Sequence, residues 1–363
     1  LVSVLTLSVL QNAYGFSGQG SGTEQDPYII TDVYQLQEMN NDVDAWYELG
    51  NDIDASDTIN WNGGEGFVPI GNYSTDNFTG NFDGKNLIIT NLFINRIESQ
   101  SQYQGLFAFV NGGNIQNVGL TNVYVSGGRF VGGLVAYQIA GTISNSYSTG
   151  EILGNSHYVG GLIGFSVSGT IVSNSHSISN VSGVEYIGGL VGMGYGLTIS
   201  NSYSISTVSG AWDIGGLVGQ IGGPISNSYS ISTVSGEDFV GGLVGDAPGW
   251  AQTISNSYSI STVSGNDFVG GLVGNNCNYG TCLDSYWNID LFPTSACGEG
   301  KTTVEMKQIG TFTNWDFTQT WGIEDNQTYP FLKLTYPIGD LNHNKVVNFL
   351  DFAILASHWL EGT

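Results

Sequence analysis

Short runs of apolar and β-branched residues, broken every few positions by Gly, Ser or Asn, fill the chain from about residue 105 to 286, in segments such as TISNSYS, ISTVSG and FVGGLVG. Runs of that length and content predict strands joined by tight turns. They also recur. GGLVG, intact or nearly so, places its second Gly at Gly133, Gly161, Gly189, Gly216, Gly242 and Gly271, with Gly105 in the degenerate copy QGLFA, in steps of 28, 28, 28, 27, 26 and 29 residues. A period of that size marks a solenoid. Asn117, Asn145, Asn174, Asn201, Asn227, Asn256 and Asp284, mostly inside ISNSYS, keep the same time.

Each coil therefore reads as about three strands, and stacked coils make an all-β fold, a right-handed parallel β-helix of about 27–28 residues per coil. Val131, Val159, Ile187, Ile214, Val240 and Val269 form one apolar column, and Leu134, Leu162, Leu190, Leu217, Leu243 and Leu272 another. The Gly pair before each Leu fits a bend where a Cβ would collide. The Asn column reads as a structural ladder at a turn. Upstream, Asn91 lies 26 residues before Asn117 and suggests a degenerate earlier coil. Val33, Leu36 and Met39 share one helical face behind Thr31, an N-cap candidate, and predict a short helix closing the open end.

These patterns divide the chain into 1–15, 16–104, 105–286, 287–336 and 337–363. The first segment, with LVSVLTLSVL and then AYG, reads as a signal peptide truncated at its front, the mature chain starting near Phe16 and exported. The second is an N-terminal cap with degenerate coils, the third the regular solenoid. In the fourth, Trp287, Phe312, Trp315, Phe317, Trp321 and Phe331 are suited to covering the last coil.

Composition changes the picture on charge. Seven Lys plus Arg against 31 Asp plus Glu give a formal net charge of −24. That argues against nucleic acid and anionic lipid as partners. A hydrophobic content of 40% argues against disorder despite 54 Gly. Cys277, Cys282 and Cys297 all follow the last GGLVG; a Cys277–Cys282 bridge would staple one loop and leave Cys297 odd. The four His are scattered, with no zinc-type spacing.

GGLVG repeated with ISNSYS resembles the GLUG-motif family, repeats of large secreted and surface proteins of bacteria, including adhesin-like chains. The lead-in GSGTEQDPYIIT, the segment ELGNDIDAS and the closing GKTTVEMK with WDF and YPFL extend the likeness over roughly 16–334. It implies a fold and carries no catalytic residues over. GDLNHNKVVNFLDFAILASHWL is similar to one half of a dockerin, a calcium module that docks secreted proteins onto cohesin-like partners. The resemblance puts Asp340, Asn342, Asn344, Val346 (through its carbonyl), Asn348 and Asp351 on a Ca2+ loop, with a helix from Phe349 to Leu360. Asn344 stands where Asp is usual, and Lys345 replaces the Gly of the sharp turn, so affinity should fall.

Lyase chemistry needs a basic residue and glycoside hydrolysis needs two facing carboxylates. Between Phe130 and Gly274 there is no Lys or Arg. Carboxylates cluster at the turn before GGLVG, where Asp213, Asp238 and Asp267 could approach one another across coils. Phe130, Tyr158, Tyr186, Phe239 and Phe268 form a ring column with Asp213 in the fourth place: outward it is a strip for sugar rings, inward a core ladder; alternation with the inward Val or Ile that follows favours outward, a bend between them would cancel that, and the core ladder is the reading taken. Tyr147, His176, Tyr203, Tyr229, Tyr258 and Tyr286 read as a structural stack. Tyr137, Phe165, Tyr195, Trp250 and Tyr279 lie in the corner whose length varies, where a repeat protein often binds, and are the candidate ligand residues.

The reading is a non-catalytic secreted repeat protein that binds a polysaccharide or cell-surface glycan, adhesin-like, with no membrane insertion and a dockerin-like tail for a partner. The alternative is a polysaccharide-degrading component of a cellulosome-like complex. An ice-binding face would draw on Thr207, Thr233 and Thr262.

Overall fold

Coil lies on coil in parallel register. The structure is a computed structural model and describes residues 15–97, 102–248, 252–276 and 280–333. One sheet of 22 strands carries the NSYS and TVS segments, and two sheets of seven strands flank the GGL bend. One of the smaller sheets runs from Tyr103–Gln104 to Asp267–Gly270, the other from Phe107–Asn111 to Val273–Asn276. The molecule is a parallel β-solenoid of about seven coils. Gly160, Gly188, Gly215, Gly241 and Gly270 are successive partners in register. Gly133 N–H donates to Gly161 O at 3.1 Å and Leu134 N–H to Leu162 O at 3.0 Å.

Inside, the two expected apolar columns are fully buried from Val131 to Val240 and from Leu134 to Leu272, and Val269 packs on them from the last rung. Removing each such side chain from water contributes about 1.5–3 kcal/mol, so the core gains with every added coil. A polar column runs beside it. Ser175 N–H donates to Ser202 Oγ at 3.2 Å, Ser202 N–H to Ser228 Oγ at 3.2 Å and Ser228 N–H to Ser257 Oγ at 3.1 Å. Each hydroxyl in turn donates to the carbonyl two residues earlier, at 2.8 Å for Ser202 and Ser228. Small hydroxyls thus satisfy backbone groups that burial would otherwise leave costly.

The Asn column has a conformational cause. Asn117, Asn145, Asn174, Asn201, Asn227, Asn256 and Asp284 all have φ between 46° and 55°. Asn and Asp tolerate this left-handed region far better than branched residues do. Side chains also bond along the stack, Asn145 Nδ2 to Asn117 Oδ1 at 3.0 Å and Asn117 Nδ2 to Asp83 Oδ1 at 2.9 Å. Asn91 does not head this column, contrary to expectation. It lies under Asn122, whose Nδ2 donates to its Oδ1 at 2.7 Å. The strand Asn81–Thr90 is irregular between Asp83 and Leu87, with positive φ at Lys85 and Asn86, and the extra residues shift the register.

At the N-terminal end, helix α1 (Val33–Glu38) buries Val33 and Leu36, and Met39 is buried just beyond it. Its N-cap is Asp32 rather than Thr31: the Asp32 carboxylate accepts from Tyr34 N and Gln35 N at 2.9 Å. Thr31 sits one residue too early and instead donates through N–H and Oγ1 to Gln35 Oε1. Strand Tyr28–Ile30 pairs with Trp46–Leu49, which pairs with Asn81–Thr90, so the rungs continue down to the helix.

The C-terminal segment makes a last rung, Glu299–Lys301 on Tyr286–Asn288, and then turns back along the side of the solenoid. Met306, Phe312, Trp315, Trp321 and Leu332 bury Tyr203, Tyr229, Tyr258 and Tyr286. Of the aromatics expected to cover the last coil, Trp287 does so, packed against Gly271 in the main core, whereas Phe312, Trp315, Phe317 and Trp321 form a strap over several coils. Tyr203, Tyr229 and Tyr258 stack at 4.8 and 5.1 Å between centroids, and Tyr258 OH donates to Pro330 O at 2.6 Å. The disulfide joins Cys282 to Cys297, not to Cys277. Cys282 is the register partner of Ile254 and so takes the inward place of the Ile column, where it meets Cys297 of the end cap at a Cα separation of 5.8 Å. Cys277 lies outside the described residues. Among those residues no helix is long and apolar enough to cross a membrane.

Candidate functional site: an outer wall of stacked rings

On either side of the GGL bend the two small sheets come so close that side chains are excluded. A Cβ on Gly192 would lie 2.5 Å from Gly164 O and 2.7 Å from Val159 N. Side chains that would have filled this space are set outside it, in two columns. The first is Tyr103, Phe130, Tyr158 and Tyr186, stacked at 4.9, 4.9 and 5.0 Å between centroids with planes within 6°. The second is Phe109, Tyr137 and Phe165, at 4.8 Å per step. Edge contacts join them, Phe130 to Tyr137 at 5.2 Å and Tyr158 to Phe165 at 5.0 Å.

The first column is not a core ladder. None of its members joins the main apolar cluster, although Phe130 is itself buried; Tyr158, Tyr186 and Phe239 are half-buried and Phe268 is 57% exposed. The cause is backbone conformation: Tyr158, Tyr186, Asp213, Phe239 and Phe268 have φ from 54° to 64°, and this left-handed residue throws the side chain outward just before the inward Val or Ile. Bulky residues at positive φ are uncommon and cost free energy, which stacking offsets.

Tyr137 and Phe165 do not sit in a variable insertion either. They are strand residues in register with each other, followed by Met193, Gln220, Asp246 and Asn275. Tyr195 lies two residues beyond Met193 on the same strand, Val191–Tyr195, and is 58% exposed. Trp250 and Tyr279 lie outside the described residues, as do the tail positions Asp340, Asn342, Asn344, Val346, Asn348 and Asp351. Trp212, 41% exposed, escaped the sequence reading because its coil-mates in register are His157, Glu185, Asp238 and Asp267, which show no aromatic pattern.

Midway along the wall the rings give way to polar groups. Asp213 takes the ring position between Tyr186 and Phe239 and is buried. Asp246 accepts from Gln220 Nε2 at 3.0 Å and from Asn275 Nδ2 at 2.7 Å. Burial pushes the Asp213 carboxyl up to about 7, helped by the nearby charges of Asp246 and Glu185 and opposed by a hydrogen bond from Gln220. Asp246 is also raised by burial, with its hydrogen bonds acting the other way. Asp238 and Asp267 are partners in register, whereas Asp213 belongs to the adjoining ring column, so the three do not form one row. Glu185 Oε2 lies 2.7 Å from His157 Nδ1, an ion pair when the imidazole is protonated. No group of three or more His, Cys, Asp or Glu among the described residues could hold a metal ion.

Residues 127–153 match the GLUG motif, and this stretch runs from the Gly before one ring column through GGLVA to the strand after NSYS. This coil carries a GLUG motif. Over 118 residues the chain is 42% identical to halomucin of Haloquadratum walsbyi, covering 31% of this chain and 1% of that protein. Over 114 residues it is 34% identical to a protein of Evansella cellulosilytica proposed to be a Gly-rich membrane protein, covering 31% of this chain and 13% of that one. The chain thus spans a small part of these relatives. A similar fold occurs in a solved structure of a Bacteroides ovatus protein proposed to be an immunoglobulin A1 protease, with TM-score 0.59, 23% identity, and 86% and 94% of the two chains covered. An IgA1 protease structure has TM-score 0.56 and 18% identity, over 88% of this chain and 25% of that one. At these identities the likeness is one of fold alone.

Proposed function

We propose that this GLUG solenoid is a non-catalytic, surface-exposed or secreted binding protein whose outer wall of rings holds a glycan. One observation carries the reading: two ring columns, one over four coils and one over three, stand beside the main apolar cluster along the solenoid axis, with Tyr158, Tyr186, Tyr137 and Phe165 partly open to solvent. Stacked rings present mainly edges, so the sugar-stacking faces belong to the rings outside the ladder, Tyr195 and Trp212, at the margins of the same wall. Arg129 lies over the Phe130 and Tyr158 rings at 4.9 and 5.4 Å, but from Phe130 to Gly274 there is no Lys or Arg, so the wall beyond Tyr158 suits neutral hydroxyl-rich ligands better than anionic ones. The half-dockerin-like tail supports attachment to a cohesin-like partner through a weak Ca2+ loop, from sequence alone. Binding of the mature chain to a glycan array, scored beside reducing-sugar release from the same glycans, tests the reading; release of sugar ends without retention would replace it.

A second reading, hydrolysis of a glycosidic bond, draws on Asp213, whose carboxyl still carries a proton near neutral pH. Its neighbour Asp246 is held by two amide donors, and the reading stands or falls on sugar release by the parent and its loss in Asp213→Asn.

A further inference from the structure

In a chain of net charge −24, Arg129 is a cation that the fold sets among tyrosines and away from acids. Lys85, Arg96 and Lys301 each face a carboxylate, at 3.4, 2.8 and 2.6 Å, and Lys333 Nζ donates to Phe317 O. Arg129 has no ion pair among the described residues. It is exposed on the turn between strands Asn114–Gly127 and Phe130–Gly132, with its guanidinium over the Phe130 and Tyr158 rings. Contact with two rings confines that charge to the N-terminal end of the wall.

Tyrosines gather at the same place. Tyr73 stacks on Tyr103 at 5.7 Å and meets Phe109 edge-on at 5.2 Å, and Tyr103 lies edge-on to Tyr137 at 5.9 Å. Tyr73 is 61% exposed, on a loop held by Asn72, whose Oδ1 accepts from Ser74 N at 2.9 Å and Thr75 N at 3.0 Å. Burial raises the Tyr103 and Tyr137 hydroxyls, neighbouring tyrosines raise them further, and Arg129 acts the other way; no carboxylate bears on either. Neither hydroxyl has a hydrogen-bond partner among the described residues.

We propose that Arg129 and the hydroxyls of Tyr73, Tyr103 and Tyr137 form a subsite for the carboxylate of a uronic-acid ring within an otherwise neutral glycan. This deepens the glycan reading above and rests on it. A guanidinium presents paired N–H donors in the fork that matches a carboxylate, and phenol hydroxyls donate to its remaining lone pairs. The net charge of the molecule opposes an anion, but at physiological salt distant charges are screened within about 8 Å, whereas the Arg129 contact is direct.

The full-length parent, Arg129→Gln and a Tyr103→Phe/Tyr137→Phe variant are titrated with matched neutral, amino-sugar and uronic-acid oligosaccharides in about 0.15 M salt. The parent should hold the uronic-acid member at least about fivefold more tightly than its neutral counterpart, the gain of a charge-assisted contact. Arg129→Gln should bring that ratio to about one at an unchanged Tm, and the Tyr variant, which keeps the rings, should lower it as well. A parent ratio of one or less, or an unchanged ratio in Arg129→Gln, overturns the carboxylate subsite and leaves the wall as a glycan surface. A parent that binds none of the oligosaccharides overturns both.

Discussion

Ser177 Oγ occupies the space that a side chain on Gly161 would need. A Cβ there would collide with that hydroxyl and with Gly189 O, and the same meeting recurs at Gly189 with Ser204 and at Gly216 with Ser230. The two repeated words of the sequence, GGLVG and NSYS, thus touch across the interior of the coils from Gly133 to Gly242, and at Gly271 Trp287 takes the place of the Ser. Gly161→Ala should destabilise the chain by about 1–3 kcal/mol or more, the usual cost of overpacking, because part of the collision is with backbone that cannot rotate away. Urea unfolding measures this; a change below about 0.5 kcal/mol would mean the coil is looser than described.

Much of this was legible in the sequence because a repeat writes each contact six or seven times. The inward Val and Leu columns, the Asn turn and the Tyr stack could be read from spacing alone. Alternation pointed the ring column outward, where most of it lies, but it assumes extended backbone, and the left-handed residues at Tyr158 and Phe239 are a bend that spacing does not reveal. The strap was hidden for a different reason: Trp315 and Trp321 each occur once, and nothing in a non-repeating segment says which face it will cover. Cys282 carried a usable signal, since it falls at the place of Ile254 in its coil.

Stability should fall with rising pH at one site. The fold raises the Asp213 carboxyl to about 7 from an ordinary value near 4, so the folded state favours its protonated form. That contribution is fully present below about pH 4 and is lost as pH rises through about 7. Asp213→Asn removes the titration. Its Tm relative to the parent should therefore rise by a few °C between about pH 5 and pH 8; a difference that is flat or falls with pH contradicts the assignment.

The strap should depend on Trp321, which is fully buried and packs on Trp315 at 4.4 Å and on Tyr258 at 6.0 Å. Trp321→Ala should cost about 3–5 kcal/mol and expose 302–333 to limited proteolysis before the coils are cut. Simultaneous loss of both would show strap and coils to be a single cooperative unit.

The end cap should be linked through Cys282 and Cys297. Closing a 15-residue loop contributes about 3 kcal/mol, so Cys297→Ser should lower stability by about that amount in oxidised protein and by little in reduced protein. Non-reducing peptide mapping should recover the Cys282–Cys297 peptide pair; recovery of a Cys277–Cys282 pair would contradict the end-cap geometry.

The claim that the outer wall binds glycan is tested most directly at Tyr195 and Trp212, both exposed and both outside the core. A Tyr195→Ala/Trp212→Ala variant should keep the parent Tm within about 2 °C, as surface changes do. In titration against the neutral or amino-sugar oligosaccharides that the parent retains, the account predicts at least a tenfold rise in Kd. An unchanged Kd at unchanged Tm would contradict it.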